Sequence, residues 1–296
     1  MGYIAAWHHD VEGVSADVLN RMVITYTLPL GLFAGTVTTS RDQLTLDLRV
    51  GLILLVGMVV PFVATLLVAR LVVRRRLAES TLQAMAIGLP AIPFVGLPVL
   101  GSVFGVGPAT LTVGVGSLVT NLVIVPLSLI MLGVAAKGQT QRTTFRSVVY
   151  TVLSAFQLPM VWAPILGLAL VLLDVHLPTP LVGAMGLLGS ATAGVALFAS
   201  GVVLRAYRPT FSLPVVVSTV GRLVVVPGLA LAILPLFGLH LRLVSYPVVS
   251  LSLPSPVLLV ILAVRFDVAE RESASVLLYT YIFSAVTMAA FIGLVE

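Results

Sequence analysis

No cysteine occurs anywhere in the 296-residue chain. Disulfides, thiolate metal sites and thiol nucleophiles are therefore excluded, while the compartment is left open. Charge is scarce too: Asp, Glu, Lys and Arg make up 9% of the residues, against about 25% in a soluble domain. Carboxylates are the scarcer sign. Asp10, Glu12, Asp17, Asp42, Asp47, Glu79, Asp174, Asp267, Glu270, Glu272 and Glu296 all lie in loops or at the ends of apolar runs. A carboxylate inside a membrane span is the usual mark of a proton relay or a cation-coupled site. Its absence argues against carboxylate-based sodium or proton exchange and leaves coupling through backbone carbonyls, or none, open. His8, His9, His176 and His240 also avoid the runs. The Ser/His, Asp/Asp and His/Glu sets of intramembrane enzymes are thus missing, and no enzyme is expected. His8 and His9 beside Asp10 do not make a metal site, because adjacent residues do not share a helix face. No metal or cofactor is expected.

What is abundant is apolar surface: 59% of residues are hydrophobic, and the mean hydropathy is +1.17. Runs near or above the ~20 residues that span a bilayer as a helix recur along the chain. They do not alternate as membrane β-strands do. The expected fold class is an all-α polytopic membrane protein. About nine spans are read, at 20–39, 49–73, 80–104, 108–136, 147–173, 179–204, 212–236, 244–265 and 273–295. Met1 to Trp7 is too short and lacks the basic start of a signal peptide.

The spans sort the sixteen Lys and Arg residues: twelve fall in loops on one side, three (Arg41, Arg49 and Arg242) on the other, and Arg222 inside a span. The positive-inside rule puts the twelve on the cytoplasmic face. The expected location is an inner or plasma membrane, with the N-terminus cytoplasmic and the C-terminus outside. The basic clusters are read as topology signals, and no nucleic-acid partner is expected; the lipid bilayer is the expected surrounding.

Two spans are unlike the others. Residues 88–101 read GLPAIPFVGLPVLG, with Pro90, Pro93 and Pro98; residues 245–260 read SYPVVSLSLPSPVLLV, with Pro247, Pro254 and Pro256. Proline in a helix interior removes a hydrogen bond and clashes with the preceding turn, at roughly 3 kcal/mol. Such clusters imply helices broken mid-membrane, where irregular backbone is tolerated only if buried in protein or lining a cavity. The basic loop 137–146 divides the chain into 1–136, with four spans, and 147–296, with five. In each half the broken span is second from last. Paired broken spans in matching positions point to a transporter built from inverted repeats. The reading is two inverted five-helix repeats with crossed broken helices, the first helix largely missing and Met1–Trp7 its remnant.

These residues resemble the auxin efflux carrier family, which includes plant PIN-FORMED transporters and bacterial carriers described as malonate transporters. The resemblance covers nearly the whole chain. It rests on Asn20-Arg21 with Tyr26-Thr27-Leu28-Pro29, on Leu89-Pro90 and Gly96-Leu97-Pro98 with Phe104-Gly105, on Gly189 through Gly201 with Ala196-Leu197-Phe198, and on Leu253-Pro254. It implies helices four and nine crossing at their breaks to form the substrate site. It also implies a scaffold of helices one, two, six and seven, and a mobile transport domain made by the rest. The family's asparagine after the first crossover proline, a carboxylate contact, is Ala91 here, so that contact is not carried over.

At each break a half-helix N-terminus offers free N–H groups and a positive dipole end, which suit an anion. The candidate substrate-binding residues are Pro90, Ala91, Ile92 and Pro93 at the first break, and Ser252, Pro254, Ser255 and Pro256 at the second. Serines in membrane helices also serve simply to pack helices together. Asn121, inside the span after the first broken helix, is read as substrate contact or site support, against bonding to a neighbouring helix. Arg222 either snorkels to the interface or pairs structurally, or else acts electrostatically on an anionic substrate. The expected function is a secondary transporter moving a small organic anion, a carboxylate such as malonate by the resemblance, by alternating access. The alternatives are a sodium-coupled carrier like the bile-acid symporters and a non-transporting receptor or scaffold. A homodimer is left open.

Overall fold

The computed structural model describes residues 2–8, 18, 22–38, 48–138, 159–207, 209–233 and 241–295. Asn20, Arg21, His9, Asp10, most of the loop 137–146 and the start of the span read at 147–173 lie outside the described residues.

Every regular element among the described residues is helical. Helix α1 is Gly2–Trp7. Helix α2 is a π turn, Val23–Thr27, running into Leu28–Val37. Helix α3 is Leu48–Leu67, ending in a π turn, Val68–Val72. Helix α4 is Leu77–Gly88. After a break, α5 begins with the π turn Ile92–Gly96 and continues through Leu97–Phe104. Helix α6 joins Val106–Val119, the π turn Thr120–Ile124 and Val125–Gly138. Helices α7 and α8 are Pro159–Leu172 and Thr179–Tyr207. Helix α9 joins Leu213–Val220, the π turn Gly221–Val225 and Val226–Ile233. Helix α10 is Leu241–Leu251 and, after a second break, α11 is Leu258–Phe266. Helix α12 is Glu270–Val295.

The π turns have a local cause. Four of the five described end two residues before a proline: Pro29, Pro98, Pro126 and Pro227. A proline lacks the N–H that a helix needs, and its ring collides with the carbonyl four residues back. Widening the preceding turn absorbs both faults, and the helix continues through the proline with a bulge. The prolines of the two unusual spans therefore do different things. Pro90, Pro254 and Pro256 lie in non-helical backbone, Pro93 and Pro98 fall within α5, and Pro247 sits inside α10.

Among the described residues, four stretches are long and apolar enough to cross a bilayer: Val50–Val72, Thr112–Ala136, Leu213–Ile233 and Glu270–Val295. Their faces are sorted as a membrane requires. In α3, Val50, Leu54, Met58 and Phe62 are buried, while Leu52, Val56, Val60, Val63 and Leu67 are exposed. Both rows follow the helical repeat and both are apolar, so the helix has a protein side and a lipid side. In α12 the polar residues turn inward: Ser273, Ser275, Thr280 and Ser284 are buried, and Ile282, Phe283 and Val286 face out.

Two packing groups emerge. Helices α1, α2, α7 and α8 lean mainly on one another, with α2 packed on both α7 and α8. The broken helices α4–α5 and α10–α11 are wrapped by α3, α6, α9 and α12. A continuous apolar core including Phe62, Leu82, Met85, Ile92, Leu253 and Leu258 fills this second group. In the first group α2 and α8 cross at Gly31 and Gly189. A Cβ on Gly31 would come within 2.9 Å of the Gly189 Cα, and a Cβ on Gly189 would likewise run into Gly31 backbone. Small residues permit such backbone-on-backbone crossings between membrane helices.

Gly31→Ala is therefore expected to lower the melting temperature of the purified protein, by an overpacking cost of about 1–3 kcal/mol. Gly183→Ala, also in α8 but with open space around its would-be Cβ, is expected to melt like wild type. Equal melting of the two variants would show that the glycine crossing does not constrain the fold.

Candidate functional site

The two breaks meet. Residues 89–91 and 252–257 carry no helix, and the Ala91 N–H donates to the Pro254 carbonyl at 2.9 Å. Ala91, Ile92, Ser252, Leu253 and Ser255 are each fully buried. Pro90, Pro254 and Pro256 are buried as well, and Pro93 is half-buried.

An interrupted helix in an apolar interior exposes its last four carbonyls and first four N–H groups, and each must find a partner. At the end of α4, the Met85 carbonyl takes the Leu89 N–H at 3.0 Å. The Ala86 carbonyl takes the Ser255 hydroxyl at 2.8 Å. The Ile87 carbonyl takes Nη1 of Arg222 at 2.6 Å. At the end of α10, the Val248 carbonyl takes the Ser252 N–H, the Val249 carbonyl takes the Ser252 N–H and hydroxyl, and the Ser250 carbonyl takes the Leu253 N–H. The Leu251 carbonyl takes Nη2 of Arg222. One guanidinium thus joins the C-terminal ends of both first half-helices.

Arg222 reaches this position because of α9. The side chain leaves the π turn Gly221–Val225 and is entirely buried, so it does not snorkel to the membrane surface. Its neighbour Gly221 lies against Ile87, whose side chain a Cβ there would meet at 3.0 Å. No carboxylate pairs with Arg222 among the described residues, and its Nε is buried without a partner. The compensating negative charge is that of the two helix ends, about half an elementary charge each.

The second half-helices begin at Ile92 and Leu258, so their positive ends lie at the crossing. The Ser255 N–H is taken by the Thr280 hydroxyl oxygen at 3.3 Å, and that hydroxyl donates to the Leu277 carbonyl at 3.1 Å. Helix α6 supports the first break: Gly116 packs on the Ile92 side chain and Val113 on Gly96.

Asn121 is in the π turn Thr120–Ile124, which packs against α7. It is 2% exposed, and its Oδ1 has no partner among the described residues. An unpaired polar atom in such a place costs about 1–3 kcal/mol. Asn121 and Arg222 occupy equivalent local settings, each the second residue of a π turn five residues before a proline.

Four contributors are absent from the sequence-derived set. Thr280 holds the second break, and the signal for it was a hydroxyl in the middle of an apolar run. The Ile87 and Leu251 carbonyls had no signal, since any residue supplies one. Arg75, in the basic run 74–76, turns inward to Glu79 at 3.4 Å, Gln83 at 3.0 Å and Glu272 at 2.6 Å, tying α4 to α12. Arg75 and Ala86, whose carbonyl takes the Ser255 hydroxyl, both line a crevice of about 20 Å³ between α4, α9 and α12. That is room for a water.

Comparison with known proteins gives consistent matches. The family described as "Membrane transport protein" matches residues 1–292. An uncharacterized transporter, YfdV of Escherichia coli K12, is 28% identical over 288 residues, covering 97% of this chain and 91% of the relative. Its counterparts in Escherichia coli O157:H7 and Shigella flexneri match to the same extent.

Ser255→Ala removes the only side-chain donor to the Ala86 carbonyl among the described residues. It is expected to destabilise the protein by about 1–3 kcal/mol, the cost of a stranded buried acceptor. Ser252→Ala is expected to cost less, because the Val249 carbonyl keeps the Ser252 N–H. Thermal melts of the two variants check the ranking, and its reversal would show that the Ser255 hydroxyl does not tie the breaks together.

Proposed function

Because the chain belongs to the membrane transport protein family, the auxin efflux carrier family that its motifs resemble, we propose that it carries a small organic anion across the membrane by alternating access at the crossover. The observation that carries this reading is the imbalance of helix ends. Arg222 covers the two negative ends, while the positive ends at Ile92 and Leu258, whose first N–H groups bond only nearby carbonyls such as Pro256 and Val257, have no anionic partner among the described residues. An anion is the ligand such ends attract, and broken-helix carriers hold substrate carboxylates in this way. A carboxylate of the malonate class follows from the family resemblance. Pro90, Ala91, Ile92 and Pro93, with Ser252, Pro254, Ser255 and Pro256, form its binding surface. Asn121 adds an amide, whose buried unpartnered end is available to a polar ligand or to the water it carries.

Movement follows from the packing. The group around the crossing is tied internally by Ala91–Pro254, Ser255–Ala86, Arg222 and Arg75–Glu272. It moves as one body against α1, α2, α7 and α8, which the Gly31–Gly189 crossing holds close. The Asn121 turn lies at the boundary between the two bodies, against α7. In the orientation proposed from the basic loops, Arg75 and its crevice lie toward the cytoplasmic side. A sodium-coupled carrier is the weaker reading, since Arg222 already fills the carbonyl pair that a coupling cation would use.

The test is thermal stability of the purified protein against malonate, other carboxylates and neutral analogues. A ligand selective for the folded state raises the melting temperature, by about 2.7 kcal/mol of stability at a hundred times its Kd. The expected result is a saturable rise with one carboxylate class, lost in Pro254→Ala and unchanged when sodium is replaced by choline. A rise with neutral analogues alone would overturn the anion reading, and a rise only in sodium would favour the coupled carrier.

A further inference from the structure

The Arg222 guanidinium sits where two helix C-terminal ends converge, in contact with a carbonyl from each and with no carboxylate among the described residues. Those carbonyls are hard oxygen donors on a combined charge of about minus one. In broken-helix carriers, half-helix C-terminal ends and unwound carbonyls are what coordinate a free monovalent cation. We propose that Ile87 and Leu251 form a monovalent-cation site permanently occupied by a tethered cation, the Arg222 side chain, and that shortening this side chain converts the position into a binding site for a free cation.

Three features support a site over an incidental contact. The side chain is fully buried in a span, where an arginine is costly to insert, so it persists only if the surroundings repay it. The planar fork reaches both carbonyls at once, which an ammonium cannot do with the same geometry. Gly221 allows α9 to lie against Ile87, close enough for the fork to span the two ends. Arg222 is a positioning residue here: it fixes α4 and α10 relative to each other, and through them Ala91 and Pro254. The proposal needs no substrate, so its failure is separable from that of the anion-carrier reading.

The experiment is a thermal melt of full-length wild type, Arg222→Ala and Arg222→Lys in sodium, potassium, dilute guanidinium and choline chloride at equal ionic strength. Arg222→Ala is expected to melt well below wild type in choline and to be raised saturably by guanidinium or by sodium. Wild type is expected to be indifferent to the cation. Arg222→Lys is expected to melt between the two and to respond little, because it keeps a tethered charge. If Arg222→Ala cannot be purified folded, the same comparison is made by adding guanidinium during solubilisation. Recovery of a monodisperse peak on size exclusion supports the site, and no recovery counts against it. An Arg222→Ala protein that melts like wild type, or whose deficit no cation changes, overturns the proposal.

Discussion

The structure depends on one guanidinium meeting two backbone carbonyls. Breaking two helices in an apolar interior leaves two negative ends in a medium where neither water nor salt relieves them. The cost of unpaired carbonyls there is several kcal/mol each. Arg222 answers both ends with a single charge, donating to Ile87 and to Leu251. Around it, the Met85, Val248, Val249 and Ser250 carbonyls are met locally by the N–H groups of Leu89, Ser252 and Leu253 and by the Ser252 hydroxyl, and the Ala86 carbonyl is met across the crossing by the Ser255 hydroxyl. Beside these ties Ala91 bonds Pro254 directly, and the positive ends of α5 and α11 are left as the field of the proposed site.

Prolines and glycines divide the labour that makes this arrangement possible. Pro90, Pro254 and Pro256 stop helices; Pro29, Pro98, Pro126 and Pro227 only widen them, through the π turns that precede them. The widened turns are also where Asn121 and Arg222 project, so the same local fault that a proline imposes re-aims a polar side chain. Glycines then set the closest approaches. A Cβ on Gly88 would meet Phe62 backbone and side-chain atoms at 2.7 to 2.9 Å, which seats the end of α4 directly on α3.

Much of this was legible in the sequence, for physical reasons. Long apolar runs with carboxylates confined to their ends left only a membrane helical protein, and clustered prolines in an apolar run predicted broken helices. Proline clustering could not say which proline breaks: Pro247 reads like Pro254 in sequence yet lies within α10. Arg222 stood out as the lone charge in a span, but its two partners are backbone atoms 135 and 29 residues away, and carbonyls have no sequence signature. Ser255 carried the same limit, its acceptor being 169 residues distant. Arg75 was read with its neighbours as a topology signal, and its ion pairs with Glu79 and Glu272 had no signal of their own.

The central claim is that Arg222 and Ser255 act on one joint, holding the end of α4 to the second break. A double-mutant cycle on thermal stability measures this directly, using Arg222→Met, Ser255→Ala and the pair. Residues sharing a network show coupling of about 0.5–3 kcal/mol, while independent sites add within about 0.5 kcal/mol. The account expects strong coupling, because once one tie is lost the other no longer holds the helix end in register. Additive losses would mean that the two side chains stabilise separate parts of the protein, and the crossover would not be the single joint described.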